Sequence, residues 1–413
     1  MLATNLSLRR FTPDAQQLIL ASGVFAVSFF GIQQLLKILY LLRLGYDLPY
    51  IGIFSATGSM TYMTMSLLSG MIGGRYSNRS VMLFGGVVTI LGMTVMPLVE
   101  FVPDPLQYWL PLGSQVMVSG GWAFFNISMV PALMAVSTPA NRNAAFAMSS
   151  TLRGLGTFVG TMVGGLLPSL FAWLTNQPVD LPGPYRYALF VGAALGIGGL
   201  LPVLRMERAG TVTQQAHEAE EPEAPFPVLP VALLILHVYL GNSSAALCQT
   251  FCSAYMDTEL HLSTAFIGML TSIGQFVAIL APLIAPRLAE RYSNSWILMM
   301  ATAGAALSML PLIYVPNWLG AGMGRLGILA LSAMWMPALQ VQQMSLVTRQ
   351  WRQLAYGILS MGMSLTFTSV SIAGGYIATH WGYQSLFLIG VLFSSAGALL
   401  MWGMMRVTRL QHL

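Results

Sequence analysis

The chain has 413 residues, of which 56% are hydrophobic and only 8% are charged. A soluble domain carries about 25% charged residues, so this composition excludes an ordinary water-soluble protein. The mean hydropathy of +0.70 points the same way. The formal net charge is +5, but the positions of the basic residues explain it as membrane topology, and we expect no nucleic-acid partner.

The apolar residues form blocks of about twenty or more, the length that a helix needs to cross a bilayer. The short alternating segments of a transmembrane barrel do not occur in the sequence. We therefore predict an all-α integral membrane protein with helices at 17–42, 50–73, 80–100, 108–136, 143–172, 185–204, 227–254, 263–286, 295–315, 322–347, 354–379 and 383–405. The first block is too long for a signal peptide, so we expect it to remain in the mature protein.

The basic residues predict the orientation. Thirteen of the 18 lysines and arginines fall at the predicted termini and even-numbered loops: Arg9, Arg10, Arg75, Arg79, Arg142, Arg205, Arg208, Arg287, Arg291, Arg349, Arg352, Arg406 and Arg409. Arg43, Arg186 and Arg325 fall in or near the opposite loops, and Lys37 and Arg153 fall inside helices. By the positive-inside rule both termini are cytoplasmic, and we expect a bacterial inner (plasma) membrane.

The chain repeats itself. RYSNRSVML at 75–83 matches RYSNSWILM at 291–299, and VPALM at 130–134 matches MPALQ at 336–340. Between the copies, the stretch after Arg205 is rich in Glu and Pro and lacks an apolar run, which is typical of a hydrated linker. We predict an N-terminal six-helix bundle at 1–204, a cytoplasmic linker at 205–226 and a C-terminal six-helix bundle at 227–413.

The loop after helix two resembles the signature of the major facilitator superfamily, with Gly70, Arg75 and Arg79 in place, and a second copy ends in Glu290 and Arg291. Gly74 stands where that signature has Asp. The resemblance covers essentially the whole chain and implies two pseudo-symmetric six-helix bundles that rock around a central site. It also implies a conformational latch made of Arg75, Arg79, Glu290 and Arg291. Plain positive-inside topology is the alternative for these arginines.

Helix five carries a series of glycines: Gly156, Gly160, Gly164 and Gly165. Small residues at this spacing let two membrane helices approach closely, so we predict a helix-packing stripe. The series also resembles the glycine motif of the superfamily's antiporters, except that Thr161 replaces a proline. That resemblance favours export.

Polar side chains inside a bilayer are costly and are therefore functional candidates. The resemblance implies a cavity lined by helices one, four, seven and ten, and the candidates are Gln33, Lys37, Trp122, Asn126, Arg153, His237, Trp335 and Gln342. Several have structural alternatives. Lys37 shares a helical face with Gln33 but is near enough to the membrane surface to snorkel, His237 suits a buried neutral ring, and Arg153 shares the face of the glycine stripe.

The predicted helix interiors contain two basic residues, Lys37 and Arg153, and no acidic residue. A proton-coupled exporter of cations generally needs an embedded carboxylate. We therefore predict a secondary active transporter that exports a neutral or anionic amphipathic small molecule, with a proton or counter-ion as the coupling partner. A proton-coupled multidrug efflux pump and a solute importer of the same fold remain alternatives.

Other classes of protein fit less well. The five histidines are scattered, no HExxH motif occurs, and phosphate-binding loops are absent from the sequence. We expect no enzyme, no metal and no cofactor. A non-transporting membrane sensor would be expected to carry a soluble domain or a long tail, and is a remote alternative. We expect the protein to work as a monomer.

Overall fold

The computed structural model describes residues 11–72, 76–138, 141–206, 225–348 and 351–410. All regular secondary structure in these ranges is helical. The helices are α1 Pro13–Arg43, α2 Leu48–Ile72, α3 Asn78–Phe101, α4 Asp104–Val136, α5 Arg142–Thr175, α6 Pro182–Arg205, α7 Val228–Thr258, α8 Thr264–Tyr292, α9 Asn294–Tyr314, α10 Trp318–Leu346, α11 352–381 and α12 383–410. The prediction of twelve helices is confirmed.

Ten stretches of the described chain are long and apolar enough to span a membrane. One of them, Gly357–Val407, covers both α11 and α12, which are separated at Gly382, where φ is 78°. Such a φ suits glycine, because a side chain there would be strained. The helix outside these stretches is α2, whose apolar residues are interrupted by Ser, Thr and Gly. An all-α integral membrane protein is therefore the observed class.

Polar caps set several helix starts. The Ser77 hydroxyl accepts a hydrogen bond from the backbone N–H of Ser80, so α3 begins at Asn78. The Asn317 side chain accepts bonds from the first turn of α10 in the same way. Such caps satisfy N–H groups that have no partner inside the helix. Because a cap lies outside the apolar run, hydropathy alone placed these starts a few residues late.

Two helices are irregular in their middle. Residues Ala26–Gln33 of α1 are π-helical, and α7 is interrupted at Asn242, between Val228–Gly241 and Ser243–Thr258. π-Helical segments are rare and often occur at functional sites. The wider π turn changes which side chains of α1 share a face.

The residue contacts divide the chain into two compact units. Unit 1 holds the described residues of Met1–Tyr46, Thr57–Gln215 and Thr264–Ser272. Its core includes Phe25, Phe29, Trp122 and Phe125.

Unit 2 holds the described residues of Asp47–Ala56, Ala216–Ser263 and Ile273–Leu413. Its core includes Leu234, Leu298, Trp335 and Met401. Most of the predicted linker lies outside the described residues, and the boundaries 1–204, 205–226 and 227–413 stay a prediction.

Candidate functional site

An aromatic cluster connects α1 and α4 inside unit 1. The rings of Phe29 and Trp122 are stacked, with centroids 4.9 Å apart. Phe30 meets the same indole edge-on, with centroids 5.2 Å apart. The ring of Phe125 is also stacked with the Trp122 indole, with centroids 5.5 Å apart. Trp122 is buried, whereas Phe30 is half-buried. The cluster offers flat apolar surface on which a ligand with an apolar body can pack.

Arg153 and two polar side chains adjoin this cluster. The Arg153 Nη2 atom lies 3.8 Å from the sulfur of Met129, and its charge interacts with the nearby Tyr62. The Asn126 side-chain amide donates a hydrogen bond of 3.0 Å to the Tyr62 hydroxyl. Trp122, Asn126 and Met129 follow one another at helical spacing on α4. The structure thus brings three predicted residues, Trp122, Asn126 and Arg153, into one neighbourhood.

We call this neighbourhood the Arg153 site: Phe29, Phe30, Tyr62, Trp122, Asn126, Met129 and Arg153. Arg153 is half-buried, and within the described part of the chain no carboxylate pairs with it. A guanidinium presents a planar fork of donors that matches a carboxylate. The site therefore combines an anion-binding group, an amide and a phenol with an aromatic wall.

Four members of the Arg153 site, Phe29, Phe30, Tyr62 and Met129, were not among the predicted cavity residues. Phe29 and Phe30 read as ordinary apolar residues of a membrane helix, and the π-helical turn that directs them is not visible in the hydropathy. For Tyr62 the sequence does contain a usable signal. A tyrosine in the middle of a membrane span needs a hydrogen-bond partner when it is buried, so it could have been included among the polar candidates.

Gln33 and Lys37 lie elsewhere in unit 1. The Gln33 amide nitrogen donates to the backbone oxygen of Met93 on α3 at 3.4 Å, and its side-chain oxygen is buried without a hydrogen-bond partner. Lys37 is buried, with 7% of its surface exposed. Neither residue makes a described contact with Arg153.

The glycines of α5 lie against α1. An atom added at Gly156 would meet the backbone oxygen of Gly23, and one added at Gly160 would meet Val27. Gly164 faces Ile32. Gly165 faces Gly268, in the part of α8 that belongs to unit 1. The backbones approach one another because these positions lack side chains.

His237 and Trp335 are joined in unit 2. The Trp335 indole N–H donates to Nε2 of His237 at 3.3 Å, and Nδ1 of His237 lies 2.9 Å from the backbone oxygen of Gly397. Since Nε2 accepts, Nδ1 carries the proton and donates to Gly397, which describes a neutral ring. His237 is fully buried.

The other predicted residue of unit 2, Gln342, is placed by α9. Its side-chain oxygen accepts a hydrogen bond of 2.8 Å from the Ser295 hydroxyl. No described contact links it with His237 or Trp335. The predicted cavity residues of unit 2 thus form two separate groups.

The structure describes the side chains of two of the four predicted latch residues, Arg79 and Arg291. Arg79 donates to the backbone oxygens of Val203 and Leu204, at 3.2 and 2.6 Å, at the end of α6. A cation is favourable there because the carbonyl groups give a helix C-terminus a negative partial charge. Arg291 lies over the ring of Tyr292, 5.2 Å from its centroid. Arg75 and the side chain of Glu290 lie outside the described residues.

A charged network that the sequence analysis did not single out joins α1, α3 and α6. Glu100 accepts a hydrogen bond from the Tyr40 hydroxyl at 2.9 Å and pairs with Arg186 at 3.0 Å. The Arg186 guanidinium also lies 4.9 Å from the ring centroids of both Phe101 and Tyr187. Because Arg186 is predicted near an outer loop, we expect this network to lie at the outer end of unit 1.

The apolar helices of membrane-spanning length that enclose a partly buried cation and an aromatic wall define an integral membrane protein with an internal polar site. The sequence matches the family model described as Major Facilitator Superfamily twice, over residues 18–256 and over residues 235–412. The chain therefore belongs to the major facilitator superfamily, whose members are transporters, and the two matches reflect its two repeats.

Solved structures show the same fold. A D-xylose-proton symporter is similar with a TM-score of 0.75 and 14% identity, over 94% of this chain and 97% of that chain. The nucleoside transporter NupG has a TM-score of 0.72 and 15% identity, over 95% and 99% of the two chains. A bacterial homologue of the iron transporter ferroportin has a TM-score of 0.72 and 14% identity, over 96% and 99%. No curated protein sequence matches the chain.

Proposed function

We propose that this transporter exports a neutral or anionic amphipathic small molecule by secondary active transport with alternating access. The observation that carries the proposal is Arg153, a half-buried cation that has no carboxylate partner among the described residues. An arginine in the middle of a membrane helix costs about 3 kcal/mol on insertion scales. An anionic substrate offsets that cost, and the rings of Phe29 and Trp122 suit its apolar part.

Export is supported by the glycine series of α5, which resembles that of the superfamily's antiporters. The arrangement of basic residues supports cytoplasmic termini in a bacterial inner membrane. A proton or counter-ion drives the transport, and the protein works as a monomer in the lipid bilayer. A proton-coupled multidrug efflux pump, a solute importer and a sensor are the competing functions that the experiment below separates.

The test is flux in proteoliposomes with three compounds that share one apolar body: a phenylalkyl carboxylate, its amide and the corresponding amine. We expect flux of the carboxylate and the amide, and little flux of the amine. Transport of the amine alone under a proton gradient would contradict the substrate class and favour a multidrug pump. Flux only toward the side of the termini would favour an importer, and absence of flux in folded protein would favour a sensor.

A further inference from the structure

Arg325 lies deeper in the protein than its sequence position indicated. The sequence predicts Arg325 in or near an outer loop, but in the structure it lies in α10, seven residues after Trp318. A helix rises 1.5 Å per residue, so its Cα atom lies about 10 Å from the helix start. Only 8% of Arg325 is exposed, which excludes a side chain that snorkels out to solvent.

The guanidinium of Arg325 is poorly satisfied. Its Nη1 atom donates a hydrogen bond of 3.0 Å to the Ser253 hydroxyl oxygen on α7, and its Nε atom is buried without a hydrogen-bond partner. Within the described ranges, no carboxylate lies at ion-pair distance from it. Asp257, one helical turn beyond Ser253, is also buried and makes contacts of its own.

The two thiols near Arg325 add no compensating charge. Cys248 and Cys252 of α7 are buried free thiols, and both lie within electrostatic reach of Arg325. A thiol is a weak hydrogen-bond partner. A buried charge that is neither paired nor fully hydrogen-bonded is costly, and an anion bound beside it removes much of that cost.

We propose that Arg325 and Ser253 form a binding site in unit 2 for a monovalent anion. The free Nε–H of Arg325 is the first donor to the anion. The Ser253 hydroxyl is the second, because its oxygen accepts from Nη1 while its own proton remains available. The anion is either chloride or the carboxylate of an organic molecule. The site shares no residue with the Arg153 site, and the proposal does not depend on the proposed function.

The test uses thermal unfolding of the purified protein in detergent at constant ionic strength. Sodium isethionate is replaced stepwise by sodium chloride in one arm and by sodium benzoate in the other. Every protein tested, including the reference called wild type below, carries Arg153→Gln, so that the Arg153 site contributes no anion response. A ligand that binds only the folded state raises the unfolding temperature with its concentration. The variants are Arg325→Gln, Arg325→Lys and Ser253→Ala, and the matched control is Arg406→Gln, since Arg406 is exposed and lies over the Trp402 ring.

We expect wild type and Arg406→Gln to gain stability from at least one anion. Arg325→Gln should lose this gain, and Ser253→Ala should need about tenfold more anion. Without the anion, Arg325→Gln should be at least as stable as wild type, because it removes an unpaired buried charge. A response to chloride identifies an inorganic anion, and a response to benzoate alone identifies a carboxylate.

Equal anion responses in wild type and all three site variants would overturn the proposal, as would the absence of any response in wild type. If Arg325→Gln does not fold, Arg325→Lys and Ser253→Ala decide the question. Lysine keeps the charge but loses the planar fork, so Arg325→Lys should bind the anion more weakly than wild type. A bromide peak in an anomalous difference map beside Nε of Arg325 is the direct structural check.

Discussion

Gly31 in the π-helical part of α1 lies directly against Gly160 of α5. A methyl group added at Gly31 would come within 3.0 Å of the backbone of Gly160, which is closer than any real Cβ atom lies. The contact joins two features of different kinds, a glycine stripe that is visible in the sequence and a π-helical turn that is not. It positions α1, and with it Phe29 and Phe30 of the Arg153 site.

The first prediction concerns the close packing of α5 against α1. Gly160→Ala places a methyl group against the backbone of Val27, and such overpacking costs about 1–3 kcal/mol. Alanine favours a helix over glycine by only about 1 kcal/mol, so the unfolding temperature should fall. Gly113→Ala is the control, because Gly113 of α4 has nothing within 4 Å of the added atom, and its unfolding temperature should stay unchanged or rise. Equal behaviour of the two variants would mean that α1 and α5 can move apart without cost.

The second prediction concerns the pair of Glu100 and Arg186. Glu100→Gln should lower the stability by about 1–2 kcal/mol, because it leaves a guanidinium with 14% side-chain exposure without its counter-charge. Asp180→Asn should have little effect, because Asp180 is 83% exposed and its contact with Arg43 is 4.0 Å long.

The double variant Glu100→Gln with Arg186→Gln measures the coupling of this pair. It should recover part of the stability that Glu100→Gln loses, and thermal unfolding of the four proteins gives the coupling energy. A coupling near zero would show that Arg186 is held by the Phe101 and Tyr187 rings and not by Glu100.

The third prediction concerns His237. Glutamine cannot reach both the Trp335 indole and the Gly397 oxygen, and a buried group that loses its partner costs about 1–3 kcal/mol. His237→Gln should therefore lower the unfolding temperature while the pH dependence of transport keeps its shape. His380→Gln is the control, because His380 is exposed. A changed pH profile with unchanged stability would instead make His237 a proton carrier.

The sequence predicted the twelve helices because a membrane span needs about twenty apolar residues whatever its neighbours are. It did not predict which side chains of α1 share a face. A regular helical repeat of 100° per residue places Ser22, Gln33 and Lys37 on one face of α1. The turns at Ala26–Gln33, however, are π-helical. In the structure Ser22 contacts Ser149 of α5, whereas Gln33 contacts Met93 of α3.

Arg325 shows a second limit. A count of basic residues along the chain assigns an arginine to a loop when that arginine lies near the end of an apolar block. The helix α10 begins earlier than hydropathy indicates, because the Asn317 side chain caps it. Arg325 therefore lies inside the helix and not in the loop. The burial of Arg325 depends on the packing of α7 against α10, which no local pattern in the sequence carries. By contrast, Trp122 and Asn126 could be chosen from the polar face of α4 alone.

The most direct measurement of the central claim is the flux ratio of the phenylalkyl carboxylate to its amide in proteoliposomes containing wild type, Arg153→Gln or Arg153→Lys. We expect Arg153→Gln to lower carboxylate flux at least tenfold while amide flux changes about twofold. The flux ratio then changes about fivefold or more, which corresponds to about 1 kcal/mol or more of lost charge recognition. Arg153→Lys should fall between them, because lysine keeps the charge without the fork. Equal losses for both compounds, or an unchanged ratio, would contradict the assignment of Arg153 as the group that binds the anion.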